Sequence, residues 1–475
     1  MYVIGRIEEK ELLEECLKSR YPEFLAVYGR RRIGKTYLIR EFFNNQFSFY
    51  STGLADAGKP TQLKEFHRAL REHGDTETAV PRDWFEAFSR LRTLLMSGRT
   101  ERDYGSGKRV VFLDEVPWMD TPKSDFKSAL EWFWNSFGST QEDLLFIICG
   151  SATSWIIDNV FHNTGGLYNR VTRRMHLKPF TLKECEDFFH AQGFVVTRRQ
   201  IVESYMVFGG VPFYLRLLSQ RYSIHQDIER LLFTRDGQLR EEYRFLYGSL
   251  FKNSDSYIRV VKALSTRSRG MTREEIALQS GIGRGGQLTK ILSELEACDF
   301  IRKYQDFTKA SSGCIYQLVD AFSLFYFSFL DSGKVSSWLD YLNTPGYHAW
   351  SGIAFERVCL MHTAQIKEAL KIAGISSAEF AWKSKKTSHG AQIDLLIDRK
   401  DDIIDLCEMK YTSGPFSVSP SVEEELLRKR DVFRNETGTE KALHFVLISA
   451  NGFAENQNTG VVQFKLTKDD LFREI

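Results

Sequence analysis

One octapeptide limits what this chain can fold into more than any other feature. Gly29-Arg30-Arg31-Arg32-Ile33-Gly34-Lys35-Thr36 fits GxxxxGK[ST] without a mismatch, between the apolar run FLAVY from Phe24 and the helix-like TYLIREFF. The spacing has a physical basis. Gly29 and Gly34 let backbone N–H groups curl around phosphates, and the following helix directs its positive end at them. Lys35 is positioned to neutralise β/γ oxygens, and the Thr36 hydroxyl to ligate Mg²⁺. A strand before the loop and a helix after it separate this pattern from a chance glycine-rich turn. The expected ligand is ATP, with Mg²⁺.

Two further apolar runs, VVFLDE from Val110 and LLFIICG from Leu144, are continuous rather than alternating, as expected of parallel strands covered on both faces. With helix-like stretches between them they predict βαβ units and a wound parallel sheet, an α/β fold. Asp114 and Glu115 end the second run, delivering two carboxylates to the sheet's carboxyl edge, where wound sheets bind ligands. Asp114 is expected to hold Mg²⁺ through water, and Glu115 to orient the attacking water. Ser151, at the tip of the third run, is a candidate γ-phosphate sensor; a tight strand-to-helix turn accounts for it equally well. Arg170, Arg173 and Arg174 precede a helical block. An arginine there can reach a neighbouring subunit's γ-phosphate, with Arg170 the candidate and a solvated basic face the alternative.

Composition narrows the setting. A chain of 475 residues exceeds one compact core, so two to four domains are expected. The formal net charge of +2 confines any nucleic-acid contact to local patches. Its seven cysteines show no CxxC spacing, which argues against a disulfide framework or a thiolate zinc site. No apolar run is long enough for a membrane helix and the N-terminus lacks a signal-peptide pattern, so a cytoplasmic protein without membrane contact is expected.

From Thr181, a plausible N-cap, the pattern turns helical. MTREEIALQSGIG followed by GGQLTKILSELEACDFIRKY reads as helix, glycine turn, helix, strand, the look of a winged helix-turn-helix. Arg284, Lys290, Arg302 and Lys303 lie near its recognition helix and wing and could meet phosphates, although Glu294 and Glu296 share the helix and a packing role is also open. A linker is placed over DSGKVSSWLDYLNTPG. Beyond it, QIDLLIDRKDDIIDLCEMKY reads as a hairpin. Glu408 and Lys410 share one face, and Asp394 joins them only if the loop has an odd number of residues. Two carboxylates and a lysine at one hairpin end suit metal-dependent phosphodiester cleavage. Asp394 and Glu408 would hold Mg²⁺ or Mn²⁺, Lys410 would position or deprotonate water, and Glu356 could add a carboxylate. A solvated ion-pair cluster is the plain alternative.

The ordered set IGRIEEKELL, GRRRIGKT, VVFLDEVPWM, IICGSATSWI, LYNR and GGVPFYL resembles the prokaryotic AAA-type ATPases called archaeal ATPases, from Met1 to about Leu330. One departure is Asn169 in LYNR, where the family usually shows glycine. The resemblance further implies that Gly209-Gly210-Val211-Pro212 packs near the nucleotide. Glu356, Asp394 and Glu408-Met409-Lys410 match the order of the PD-(D/E)xK nuclease superfamily, whose domain often ends this ATPase family. The chain is therefore expected to comprise an ATPase core (1–180), a helical lid (181–238), a winged helix-turn-helix (239–318), a linker with a helix (319–349) and a restriction-endonuclease-like α/β domain (350–475). The implied function is ATP hydrolysis controlling a nuclease that acts on DNA or other nucleic acid, in defence or mobile-element biology, by a homo-oligomer with a possible protein partner. The alternatives are a nucleotide-dependent switch whose C-terminal domain binds a partner without cleavage, and a chaperone-like ATPase.

Overall fold

The structure is a computed structural model that describes residues 3–103, 105–151, 153–161, 169–251, 253–307, 314–331, 333, 335–384, 391–454 and 460–475. Leu167 and Tyr168 of the LYNR motif and Ala152 lie outside them. The chain divides into two compact units, Met1–Lys178 and Pro179–Ile475.

The first unit is built on strands β1 (Glu23–Tyr28), β2 (Phe49–Thr52), β3 (Arg109–Asp114), β4 (Leu144–Gly150) and β5 (Arg173–His176). They pair in parallel in the order β2-β3-β4-β1-β5. Alternate side chains of one strand enter opposite cores, which is why its sequence is apolar throughout. Phe24, Ala26, Val111, Leu113, Phe146 and Ile148 pack on the face covered by helices Lys59–Glu72, Trp84–Met96 and Phe126–Ser136. Leu25, Val27, Val110, Phe112, Ile147 and Cys149 pack on the other, with Leu38 and Ile39 of helix Lys35–Phe42 and Leu13 of helix Ile7–Lys18. Each such aliphatic or aromatic side chain contributes about 1.5–3 kcal/mol by leaving water. β2 and β5 are short edge strands, and RRMH, read from sequence as part of the approach to a helical block, is the second of them.

The second unit opens with helix Leu182–Ala191, capped by Thr181 and Glu184 in a reciprocal capping box. Helix Arg273–Ser280 ends at Gly281 with φ +68°, and helix Gly286–Ala297 and strand β7 (Ile301–Asp306) follow, the element order read from the sequence. With β6 (Met271–Thr272), β8 (Cys314–Leu318), β9 (Ser377–Lys383), β10 (Gln392–Arg399), β11 (Ile403–Lys410), β12 (Ala442–Ser449) and β13 (Val462–Thr467), β7 forms one sheet of order β13-β12-β11-β10-β9-β7-β8-β6. Parallel pairing of β7 with β9 joins strands on either side of the segment read as a linker. That segment also packs: Trp338 is fully buried, its backbone N–H bonds Glu229 at 2.6 Å, and its indole N–H donates to His225 Nδ1 at 3.2 Å. Arg302, a candidate phosphate contact, is committed elsewhere. It pairs with Glu379 on β9 and donates to Leu360 O at 2.9 Å, because its position on β7 faces those groups.

Among the described residues, no helix is long and apolar enough to cross a membrane.

Candidate functional site

In the first unit, β4 separates β1 from β3, so the tip of β4 lies between the loop after β1 and the carboxylates after β3. The loop needs its glycines. Gly29 has φ +136°, and a Cβ there would meet Leu177 O at 2.3 Å; Gly34 has φ +90°. Arg32 also takes a left-handed conformation, with φ +72°. Gly34 has no side chain with which to cap helix Lys35–Phe42, whose positive N-terminal end follows the loop directly.

Lys35 is buried, and its ammonium donates to Gly29 O at 2.9 Å, Arg30 O at 2.8 Å and Ser151 Oγ at 3.2 Å. Thr36 Oγ1 donates to Asp114 Oδ2 at 2.8 Å. Ser151 in turn donates from Oγ to Glu115 Oε1 at 2.6 Å and from its backbone N to Oε2 at 3.2 Å. Burial, aided by the adjacent Glu115 charge, holds the Asp114 carboxyl above the usual aspartate range. A bound divalent cation would favour its ionised form. One ammonium resting on neutral oxygens, a hydroxyl paired with a carboxylate and the positive end of a helix are the groups that a magnesium triphosphate needs. The residues fit that ligand.

The sequence-predicted residues Gly29 through Thr36, Asp114, Glu115 and Ser151 are thus brought together. Arg170 lies in an exposed turn and has no ion-pair partner among the described residues. Its neighbours are engaged: Arg173 lies 3.8 Å from Glu23, and Arg174 stacks on Phe161 at 4.1 Å. Asn169 has φ +55°, so it keeps the left-handed backbone that a glycine would take, and asparagine tolerates it better than most residues. In the second unit, Gly209 ends helix Arg198–Phe208 with φ +60°, and a Cβ on Gly210 would collide with Phe180 O at 1.9 Å.

The hairpin of the second unit meets the odd-loop condition. Leu395 pairs with Cys407 and Ile397 with Asp405 across the three-residue loop 400–402, a register that sets Asp394 opposite Glu408. Helix Pro420–Thr437 covers this face through Leu426 and Phe433, which pack with Leu396, Ile404 and Leu406. The same helix brings in a residue the sequence reading missed. Lys429 Nζ bonds Glu408 Oε1 at 2.7 Å, while Lys410 Nζ lies 3.6 Å from Oε2. Spacing could have exposed it: Lys429 falls three residues after Leu426 and four before Phe433, on the buried stripe.

Electrostatics at this end are strained. Burial, with the negative charge of Glu356, pushes the Asp394 carboxyl up to about 6. Burial and then Asp394 raise Glu408. Burial opposes the Lys429 charge, but Glu408 outweighs it and holds the ammonium above its usual range. Glu356 is paired with Arg357 at 2.7 Å. Among the described residues, no group of three or more His, Cys, Asp or Glu side chains is arranged to hold a metal ion. Of the expected Mg²⁺ or Mn²⁺ ligands, Glu408 is bonded to Lys429 and Glu356 to Arg357, while Asp394 accepts from Gln392 Nε2 at 3.4 Å.

Comparison with known proteins bears on the domain that carries the first site. The chain is 25% identical over 407 residues to an uncharacterised protein of Methanocaldococcus jannaschii, covering 84% of this chain and 85% of that one. A 43-residue stretch, 9% of this chain and 73% of the other, is 42% identical to an uncharacterised ATP-binding protein of the same organism. Among solved structures, a Walker-type ATPase of Pyrococcus abyssi superposes with a TM-score of 0.50 at 19% identity, covering 69% of this chain and 96% of that chain, which is a likeness of fold. Residues 4–218 match the model of an ATPase domain found predominantly in Archaea. Over those residues the chain carries an ATPase domain of the archaeal type, on a parallel-sheet P-loop fold.

Proposed function

We propose that this chain hydrolyses ATP in its first unit and uses nucleotide state to control a nuclease-like site in its second. In the first unit, Lys35 exchanges loop carbonyls for β/γ-phosphate oxygens, and the amides of Gly29 to Thr36 cradle them. Thr36 and Asp114 would hold Mg²⁺, which offsets phosphate charge when bound. Glu115 orients the attacking water, Ser151 responds to the γ-phosphate, and Arg170 reaches the nucleotide of a neighbouring copy in a homo-oligomer. The lid (181–238), the winged helix (239–318), the linker (319–349) and the nuclease-like domain (350–475) transmit the change. The substrate is DNA or another nucleic acid.

The observation that carries the nuclease half is the hairpin register that puts Asp394, Glu408 and Lys410 on one face. Glu408 is held by Lys429 and would have to exchange that partner for a metal, so no cleavage step is assigned to a metal there. The same contact favours a second reading, a nucleotide-dependent switch whose C-terminal domain binds a partner without cutting. Plasmid incubated with the purified chain, Mg²⁺ or Mn²⁺ and ATP separates the two. Cleavage lost in Lys410→Ala and Asp394→Ala supports the nuclease. Cleavage unaffected by either change rejects this site, and no cleavage under any condition favours the switch.

A further inference from the structure

We propose that a cavity beside the polar end of the β10–β11 hairpin takes one unstacked pyrimidine base. The proposal rests on the nucleic-acid reading of the second unit and deepens it by giving one base of the strand a place.

Helices Arg198–Phe208 and Pro345–Met361 and the turn after β11 border a cavity of about 150 Å³. Tyr411, on its wall, directly follows Lys410, so the cavity lies next to the nuclease-like residues without including them. A space of that size admits a six-membered ring.

The floor is already bonded. Buried Glu203 accepts on Oε1 from Arg199 Nε at 3.0 Å and from the Tyr411 hydroxyl at 3.1 Å, and His225 Nε2 lies 3.4 Å from Oε2. An indole N–H only donates, so the bond from Trp338 at 3.2 Å makes His225 Nδ1 an acceptor and leaves the ring proton on Nε2, facing Glu203. Burial opposes the Glu203 charge, but the bonds from His225 and Arg199 outweigh it and hold the carboxyl below the usual glutamate range. One carboxylate against one guanidinium leaves no net charge. A small anion would meet Glu203 and a cation Arg199. Among the described residues, no group of three or more His, Cys, Asp or Glu side chains here could hold a metal.

What remains is neutral. The side chains of Asn343, His348 and Ser413 line the same cavity and, among the described residues, form no hydrogen bond or ion pair. An amide, a neutral imidazole and a hydroxyl each offer both a donor and an acceptor. Tyr347 is buried, its ring edge-on to those of His225 and His348. Aromatic walls with a mixed set of neutral donors and acceptors match a base pulled from its stack, which presents two π faces and a hydrogen-bonding edge. The room for one ring selects pyrimidines.

The test is a binding measurement on the full chain without divalent metal, so cleavage does not enter. Fluorescence anisotropy follows a labelled short oligothymidylate and an abasic strand of the same length, with the wild type, His348→Ala and Asn343→Gly. Asn343 has φ +62°, which glycine keeps, so the second variant removes the amide without straining the backbone. His348→Ala should weaken oligothymidylate binding about tenfold, the loss expected of one stacking face. Asn343→Gly should weaken it about threefold, and both should leave the abasic strand unchanged. Equal weakening of both strands, or no weakening of either, would overturn the pocket while nucleic-acid binding stands. No binding of either strand by the wild type would remove the nucleic-acid reading and the pocket together. Free dTMP bound as tightly as the oligothymidylate would overturn a strand as the source of the base.

Discussion

The two units each bury a lysine beside a pair of carboxylates, and they satisfy it in opposite ways. Lys35 rests on two backbone carbonyls and a hydroxyl, all neutral, while Asp114 is bonded to Thr36. Lys429 forms a direct ion pair with Glu408, which is itself almost fully buried. Neutral acceptors are exchanged for phosphate at small cost, because the ammonium gains a charged partner as it leaves them. A buried ion pair is another matter, since removing one partner strands a charge in a low-dielectric interior. The first arrangement is open to an anionic ligand. The second is neutralised from within, and a ligand must displace part of the fold's own electrostatics.

That contrast can be broken at several points. The largest effect is expected at Glu115. Glu115→Gln should lower kcat by about 10²–10⁴-fold with little change in ATP affinity, a loss typical of a missing general base. Rapid-quench turnover and nucleotide-binding assays check it; near-normal turnover would remove the catalytic half of the first site. Next comes Lys429→Met, which leaves Glu408 buried without its 2.7 Å partner. A destabilisation of about 3–5 kcal/mol is expected at pH 7, read by denaturant titration. An unchanged midpoint would mean that the second site is not internally neutralised, and the contrast would fail.

A smaller effect concerns pH. Burial and the Glu356 charge raise the Asp394 carboxyl in the fold to about 6, from an ordinary aspartate value of 3.8. Between those values the folded state holds a proton that the unfolded state has released, so stability falls as pH rises through that window and stays lower above it. Asp394→Asn should lessen that slope by about 1–3 kcal/mol, leaving the smaller share of other raised carboxyls such as Glu408. Denaturant midpoints measured from pH 4 to 7 test it, and a slope unchanged in the variant would reassign it to another group.

Much of the first site could be read from the chain because its chemistry is local. The loop from Gly29 to Thr36 is contiguous, and β1, β3 and β4 are apolar throughout because both faces are covered. β2 and β5 escaped notice because edge strands of four residues need little apolar content. Strand order was not legible either, since no local pattern records that β4 inserts between β1 and β3, and the Ser151 contacts follow from that insertion alone. In the second unit, hairpin geometry tied Asp394 to Glu408 once the loop proved odd in length. The partner that changes its chemistry, Lys429, sits 21 residues after Glu408 on another element. Around Trp338 the turn residues dominate the sequence, while burial of one large apolar side chain anchors the segment, a contact that no local pattern records.

The central claim is that the loop after β1 binds and turns over ATP. Its most direct test is steady-state ATP hydrolysis, with ATP affinity measured in parallel, by the purified chain and by Lys35→Ala in the presence of Mg²⁺. The expected result is turnover by the wild type, and in the variant an affinity reduced by about a hundredfold or more with hydrolysis at background. Hydrolysis by Lys35→Ala at the wild-type rate, or absence of ATP binding by the wild type, would contradict the account.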